Sequence, residues 1–132
     1  MDKFILDTDI CIYWLKGNEN IEKSIIRQGL GNILITVITE CELFYGAYKS
    51  RKKDKNLAVV KELKTRIKTL HTVSGVPAIY GKIKAELELQ GQTLDDADLL
   101  IASIALLNNA TLITNNIEHF KRINGLKIEN WS

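Results

Sequence analysis

Thr93-Leu94-Asp95-Asp96-Ala97-Asp98-Leu99-Leu100-Ile101-Ala102 sets three carboxylates against the start of a long apolar run. The run continues through Ile104, Ala105, Leu106 and Leu107 until Asn108 and Asn109 stop it. A helix that is apolar on nearly every side belongs in a core. Asp98 stands three and four residues before Ile101 and Ala102 and seven before Ala105, so its carboxylate lies on a face the helix buries. Asp95 reads as the N-cap, where backbone N–H groups and the helix dipole hold part of the negative charge. The remainder needs a proton, a basic partner or a cation. No Lys or Arg occurs between Lys84 and Lys121.

Downstream of this helix, Ala110 to Thr114 reads as a strand, Asn115-Asn116 as a turn and Ile117 to Arg122 as a short helix. Leu126-Lys127-Ile128 is then an edge strand ahead of Trp131. Upstream, Lys3 to Leu6 is a strand closed by Asp7-Thr8-Asp9, and Asp9 is a good N-cap for a helix that Gly17-Asn18 ends. Asn20 to Gln28 is a second helix, and Ile33 to Thr36 a strand apolar throughout, as one covered on both faces should be. From Val37 the pattern turns helical, with Val37, Cys41, Phe44 and Tyr48 on one stripe, and Leu57 to Ile67 repeats Val59, Val60, Leu63 and Ile67. These two helices are joined by a basic loop. Thr69 to Val73 is the third strand, and Pro77 begins a helix that Gly91 ends. Strands alternate with helices throughout, which predicts a single α/β domain over residues 1–132: a mainly parallel sheet of about five strands, right-handed crossovers and helices on both faces.

The composition, 45% apolar and 26% charged, is that of a globular chain, and no apolar run is long enough to span a bilayer. Asp7 interrupts the first apolar stretch too early for a signal peptide, so a cytoplasmic location is expected. Cys11 and Cys41 lack metal-ligand spacing and sit in apolar contexts, which predicts buried free thiols and excludes a zinc site. The net charge is only +2, yet Lys49, Arg51, Lys52 and Lys53 open a strongly basic block that extends to Lys68 against only Asp54 and Glu62. It reads as a solvated helical surface or as a face for a polyanion.

In an open parallel sheet the ligand crevice lies outside the carboxyl ends of the strands. Asp7 and Asp9 follow the first strand, Glu40 and Glu42 lie in the helix after the second, and Asn115-Asn116 follow the fourth. The Asp98 helix must begin at that same end. Carboxylate and amide oxygens from separate segments suit a hard cation, Mg²⁺ or Mn²⁺, which activates water and stabilises charge on a phosphoryl group. Periodicity does not choose between Glu40 and Glu42, which point to different faces, and Thr39-Glu40-Cys41-Glu42 is also a capping-box pattern.

Leu6-Asp7-Thr8-Asp9, Thr39 to Gly46, Asp98 to Ala102 and Thr111 to Asn116 with His119-Phe120 together resemble the PIN-domain ribonucleases. The likeness is greatest to the VapC toxins of type II toxin–antitoxin systems, and the closing Gly125-Leu126 and Glu129-Asn130-Trp131 share it. The resemblance implies a PIN-like three-layer domain, usually dimeric, that acts as a Mg²⁺-dependent endoribonuclease and hydrolyses phosphodiesters by metal-activated water to leave a 5′-phosphate. It also implies inhibition by a cognate antitoxin encoded beside it. Position by position, Asp7, Glu42 and Asp98 match the family's three acidic metal-holding and catalytic residues. Asn116 stands at a fourth position that is acidic in many members, and an amide there adds no charge. Thr8 and Thr114 are placed to hydrogen-bond the carboxylates or a substrate phosphate, and Asp95 to reach the outer shell. Lys49, Arg51, Lys52 and Lys53 are candidate contacts for RNA or the antitoxin.

Other readings of the same residues remain. Asp9 serves as a cap alone and Asp96 as a solvated charge, while His71 and His119 pack without a catalytic partner. Asp7-Thr8-Asp9 also resembles the opening motif of haloacid-dehalogenase-type phosphatases, in which the first Asp is a covalent nucleophile. Against that, Cys11 stands where that family has Thr or Val. A third possibility, which Asn116 keeps open, is a catalytically silent PIN-like module that binds RNA or protein.

Overall fold

Two short strands, Phe4-Ile5-Leu6 and Thr111-Leu112-Ile113, form the centre of the molecule, and all of their residues but Thr111 are buried. The computed structural model describes residues 2–71 and 74–132. In chain order the elements are β1 (Phe4–Leu6), α1 (Thr8–Leu15), α2 (Glu19–Gln28), β2 (Ile33–Thr36), α3 (Val37–Lys49), α4 (Lys53–Arg66) and β3 (Lys68–Leu70). There follow α5 (Val76–Leu89), α6 (Asp96–Leu107), β4 (Thr111–Ile113), α7 (Ile117–Phe120) and β5 (Lys127–Glu129). The sheet order is β3-β2-β1-β4-β5 and every pairing is parallel, so the mainly parallel sheet expected from the sequence is parallel throughout. The Thr72-Val73 end of the predicted third strand lies outside the described residues.

Alternation along the strands divides the apolar residues between two cores. Phe4, Leu6, Ile33, Ile35 and Ile113 face α1, α2, α3 and α4 with Ile10, Trp14, Ile21 and Leu63. Ile5, Leu34 and Leu112 face α5 and α6 with Ile83, Leu99, Ile101 and Ile104. Six buried residues of α6, from Leu99 to Ala105, make it the core helix its sequence predicts.

Chain direction reverses beside β1: β2 and β3 extend to one side, β4 and β5 to the other. Leu6 pairs with Ile113, so Asp7 and Thr114 leave the ends of adjacent strands together at the topological switch point. Asp7, not Asp9, is the N-cap of α1, since its side chain accepts the Thr8 N–H at 2.8 Å. The helix starts two residues earlier than its apolar pattern indicates because a carboxylate at the strand end satisfies its first N–H. Thr36 likewise caps α3 through the Thr39 N–H, which removes the capping-box reading of Thr39 and Glu42.

The α3 stripe differs from expectation. Thr39, Leu43 and Ala47 are its buried residues, whereas Cys41 and Tyr48 are exposed. Both α1 and α4 pack on α3, and together they select a different face from the one the strongest apolar spacing marks. Only Cys11 is a buried thiol; Cys41 is an exposed one. His71 and His119 are also exposed, not packed.

Candidate active site

Asp7 is the most constrained member of the site. It is 6% exposed, with Oδ1 accepting the Thr8 N–H at 2.8 Å and Oδ2 accepting the Thr114 hydroxyl at 2.8 Å. Burial is the first cause that raises its pKa to about 7, and the neighbouring Asp9 and Asp98 add to the rise against those two hydrogen bonds. Asp98, in the first turn of α6, is half-buried, and its pKa rises to about 6 through burial, then through Asp95 and Glu42. It opens the buried face of α6 at the mouth of the core, not within it. Asp95 caps α6 by position without a side-chain cap bond and presses its charge on Asp98.

α3 separates its two glutamates. Glu42 accepts the Thr8 hydroxyl at 2.5 Å and faces the acidic cluster, while Glu40 pairs with Lys64 of α4 at 2.7 Å. A difference of two positions on a helix turns the side chains to different faces, and here those faces have different charge. The Thr8 hydroxyl also lies 3.1 Å from that of Thr39, so Thr8 links the start of α1 to α3.

Two contributors differ from their sequence reading. Asp9 lies in the first turn of α1, not at its cap: its Oδ1 accepts the Ile10 N–H at 2.7 Å, its Oδ2 accepts the Asn115 N–H at 3.2 Å, and burial raises its pKa. His119 is exposed beside Asn116, with 2.6 Å between Asn116 Nδ2 and His119 Nδ1. Asn116 also donates its backbone N–H to Thr114 Oγ1 at 2.9 Å, so Thr114 joins the Asn116 turn to Asp7. Asn130 and Ser132 each donate to Asn115 Oδ1 at 3.2 Å and close the chain over that turn. The residues Glu129-Asn130-Trp131 carried a family signal, but their contact with Asn115 depends on two loops and has no periodic signature.

Among the described residues the ion pairs are Lys64–Glu40, Lys84–Asp96 and Lys121–Glu118, so Asp7, Asp9, Glu42 and Asp98 have no Lys or Arg partner. Asp96 is thereby separated from the site and bound to α5, where Tyr80 also donates to it at 2.8 Å. Lys49, Arg51, Lys52 and Lys53 are exposed at the end of α3, in the loop and at the start of α4, and Lys49 lies 4.7 Å over the Tyr45 ring.

Among the described residues no three acidic, His or Cys side chains form a finished ligand set. An open, oxygen-only group with raised carboxylate pKa values and no basic partner still suits a hard cation that keeps several waters and takes one or two carboxylates directly. Adjacent to it, a groove of about 480 Å³ runs from Glu42 past Ile12, Leu15, Leu43 and Val59 to Lys55.

The PIN domain profile matches residues 4–126. The tRNA(fMet)-specific endonuclease VapC of Shigella flexneri is 36% identical over 132 residues, covering 100% of both chains. Among solved structures, DNA-bound VapBC from Salmonella typhimurium aligns with a TM-score of 0.94 at 36% identity over 100% of both chains. VapBC2 from Rickettsia felis bound to a promoter DNA fragment aligns with a TM-score of 0.92 at 37% identity over 98% of each. A profile that spans nearly the whole chain, and relatives matched from end to end, show that the chain belongs to the PIN-domain family, in its VapC branch.

Proposed function

We propose that this chain is the endoribonuclease toxin of a type II toxin–antitoxin pair and that Asp7, Glu42 and Asp98 carry its chemistry. PIN-domain nucleases are metal-dependent; for this chain we assign Mg²⁺, with Mn²⁺ as a substitute. The observation that carries the reading is the acidic cluster at the β1–β4 switch point, which burial and mutual repulsion leave under-compensated. Asp7, Asp98 and Glu42 would hold the cation through their oxygens. When bound, such a cation supplies Lewis acidity, acidifying water and offsetting charge on phosphoryl oxygens.

The residues of the chain do the rest. Thr114 and the Thr8 N–H fix both oxygens of Asp7, and Thr8 Oγ1 holds one oxygen of Glu42, so the other is free to face the ligand. A carboxylate of the cluster would take the proton that the attacking water gives up. Water oxygen bonds to phosphorus, the bond to the 3′-oxygen breaks, and a 5′-phosphate and a 3′-hydroxyl result. Against the phosphatase reading, the late Asp cluster opens helix α6 instead of following a strand.

The VapBC neighbours are toxin–antitoxin complexes, which supports an antitoxin partner, and the apolar groove beside Glu42 supports its docking within reach of the site. A homodimer is part of the proposal, supported by Tyr45 and Tyr48, 66% and 62% exposed along α3. The proposal also takes residues 1–132 as one cytoplasmic domain. Among the described residues no helix is long and apolar enough to cross a membrane.

Expression of the chain in bacteria tests this. The expected outcome is growth arrest that Asp98→Asn abolishes and that co-expression of the small protein encoded beside the gene relieves. Continued growth at full expression, or turnover of a chromogenic phosphate ester in place of RNA, would reject it.

A further inference from the structure

We propose that His119 is a substrate-binding residue that donates Nε2–H to a non-bridging oxygen of the RNA phosphate held at the acidic cluster. The proposal rests on the ribonuclease reading above and adds to it the group that receives the anion. Asp7, Asp9, Glu42 and Asp98 repel a phosphodiester, and none of them has a Lys or Arg partner among the described residues. A polyanion that reaches them needs a hydrogen-bond donor fixed at the rim.

His119 meets that requirement by position. It stands in α7, directly after the Asn115-Asn116 turn, and its ring is exposed. Asn116 Nδ2 lies 2.6 Å from Nδ1, which fixes the ring by one nitrogen and leaves Nε2 free. The donating amide makes Nδ1 the acceptor, so the ring proton sits on Nε2. Asn116 is itself held through its N–H on Thr114 Oγ1, whose hydroxyl donates to Asp7. One short chain of hydrogen bonds therefore positions the His119 donor relative to the most buried carboxylate of the site. The proximity is also electrostatic: burial, Asp95 and Glu42 raise the Asp98 pKa, and His119 opposes them. The amide of Asn116, which brings no charge to the cluster, thus acquires a positive task in orienting the ring.

The test uses the full chain and a fluorescently labelled single-stranded RNA that the parent cleaves. Binding is measured in EDTA, and kcat and KM are measured separately in Mg²⁺. His119→Ala is expected to weaken binding in EDTA by about tenfold and to raise KM by a similar factor, for one charge-assisted hydrogen bond. His119→Gln, which retains an N–H donor, is expected to restore most of that loss. The melting temperatures should all match because the side chain is exposed. His119→Ala binding RNA as tightly as the parent, or His119→Gln as weak as His119→Ala, overturns the assignment and leaves the ribonuclease reading intact. A parent that neither binds nor cleaves RNA overturns both.

Discussion

At Asp7 the fold buries a carboxyl that water would otherwise solvate. Its carboxyl is buried between strands, and burial followed by Asp9 raises its pKa from 3.8 to about 7. The unfolded chain gives up this proton near the ordinary carboxyl value, and the metal-free folded chain gives it up only near 7. The contribution of Asp7 to stability is therefore fully present below about pH 4 and is lost as pH rises toward 7. At about 1.4 kcal/mol per unit, the loss is on the order of a few kcal/mol. Asp7→Asn is accordingly expected to melt several degrees above the metal-free parent at pH 8, with the gap closing by pH 4, as thermal unfolding in EDTA would measure. An equal melting temperature at pH 8 would show that the carboxylate carries no such penalty. At this scale the sequence identified Asp7 and Asp98 from strand ends and helix spacing. It put Asp9 beside Asp7 but favoured a cap role, and it read His119 as a packing residue, because the contact that holds each is made through the Asn115-Asn116 turn.

The element that gives two neighbouring glutamates different surroundings is α3. Glu40 and Glu42 are two residues apart, yet one is paired with Lys64 and the other accepts from Thr8. Glu42→Gln is expected to reduce RNA cleavage by at least about 100-fold. Glu40→Gln should leave the rate unchanged and cost on the order of 1 kcal/mol in a denaturant melt, as befits a partly exposed pair. Comparable losses from both substitutions would mean that the helix presents its other face. This helix was also the least legible in the sequence. Its apolar residues fall on more than one side, so Val37, Cys41, Phe44 and Tyr48 formed a plausible stripe while the fold buries Thr39, Leu43 and Ala47. α6 was legible for the opposite reason: it is apolar on nearly all sides, so no choice of face was needed.

Across the whole molecule, alternation of strands with helices was sufficient to predict the parallel sheet, and crossover rules then put Asp7 and the Asp98 helix start at one end, while the choice of Glu42 over Glu40 came from the family resemblance. The return of the C-terminal residues was not predictable from such rules. Trp131 packs 5.2 Å from Phe4, is 7% exposed and anchors Asn130 and Ser132 beside Asn115. Trp131→Ala is expected to cost about 3–5 kcal/mol, read from chemical denaturation, since it opens a cavity against β1. A cost below about 1 kcal/mol would show that this contact does not hold the fold. The proposed function requires that four segments meeting at the switch point build one cation-dependent hydrolytic site. The sharpest measurement is the rate of RNA cleavage as Mg²⁺ is titrated into EDTA-treated parent, Asp7→Asn and Asp98→Asn proteins, with the product ends determined. The parent rate is expected to rise from zero and saturate, leaving 5′-phosphates, and the variant rates to be lower by at least about 100-fold at every concentration. Cleavage in EDTA, or variants that cut as fast as the parent, would contradict the proposed function.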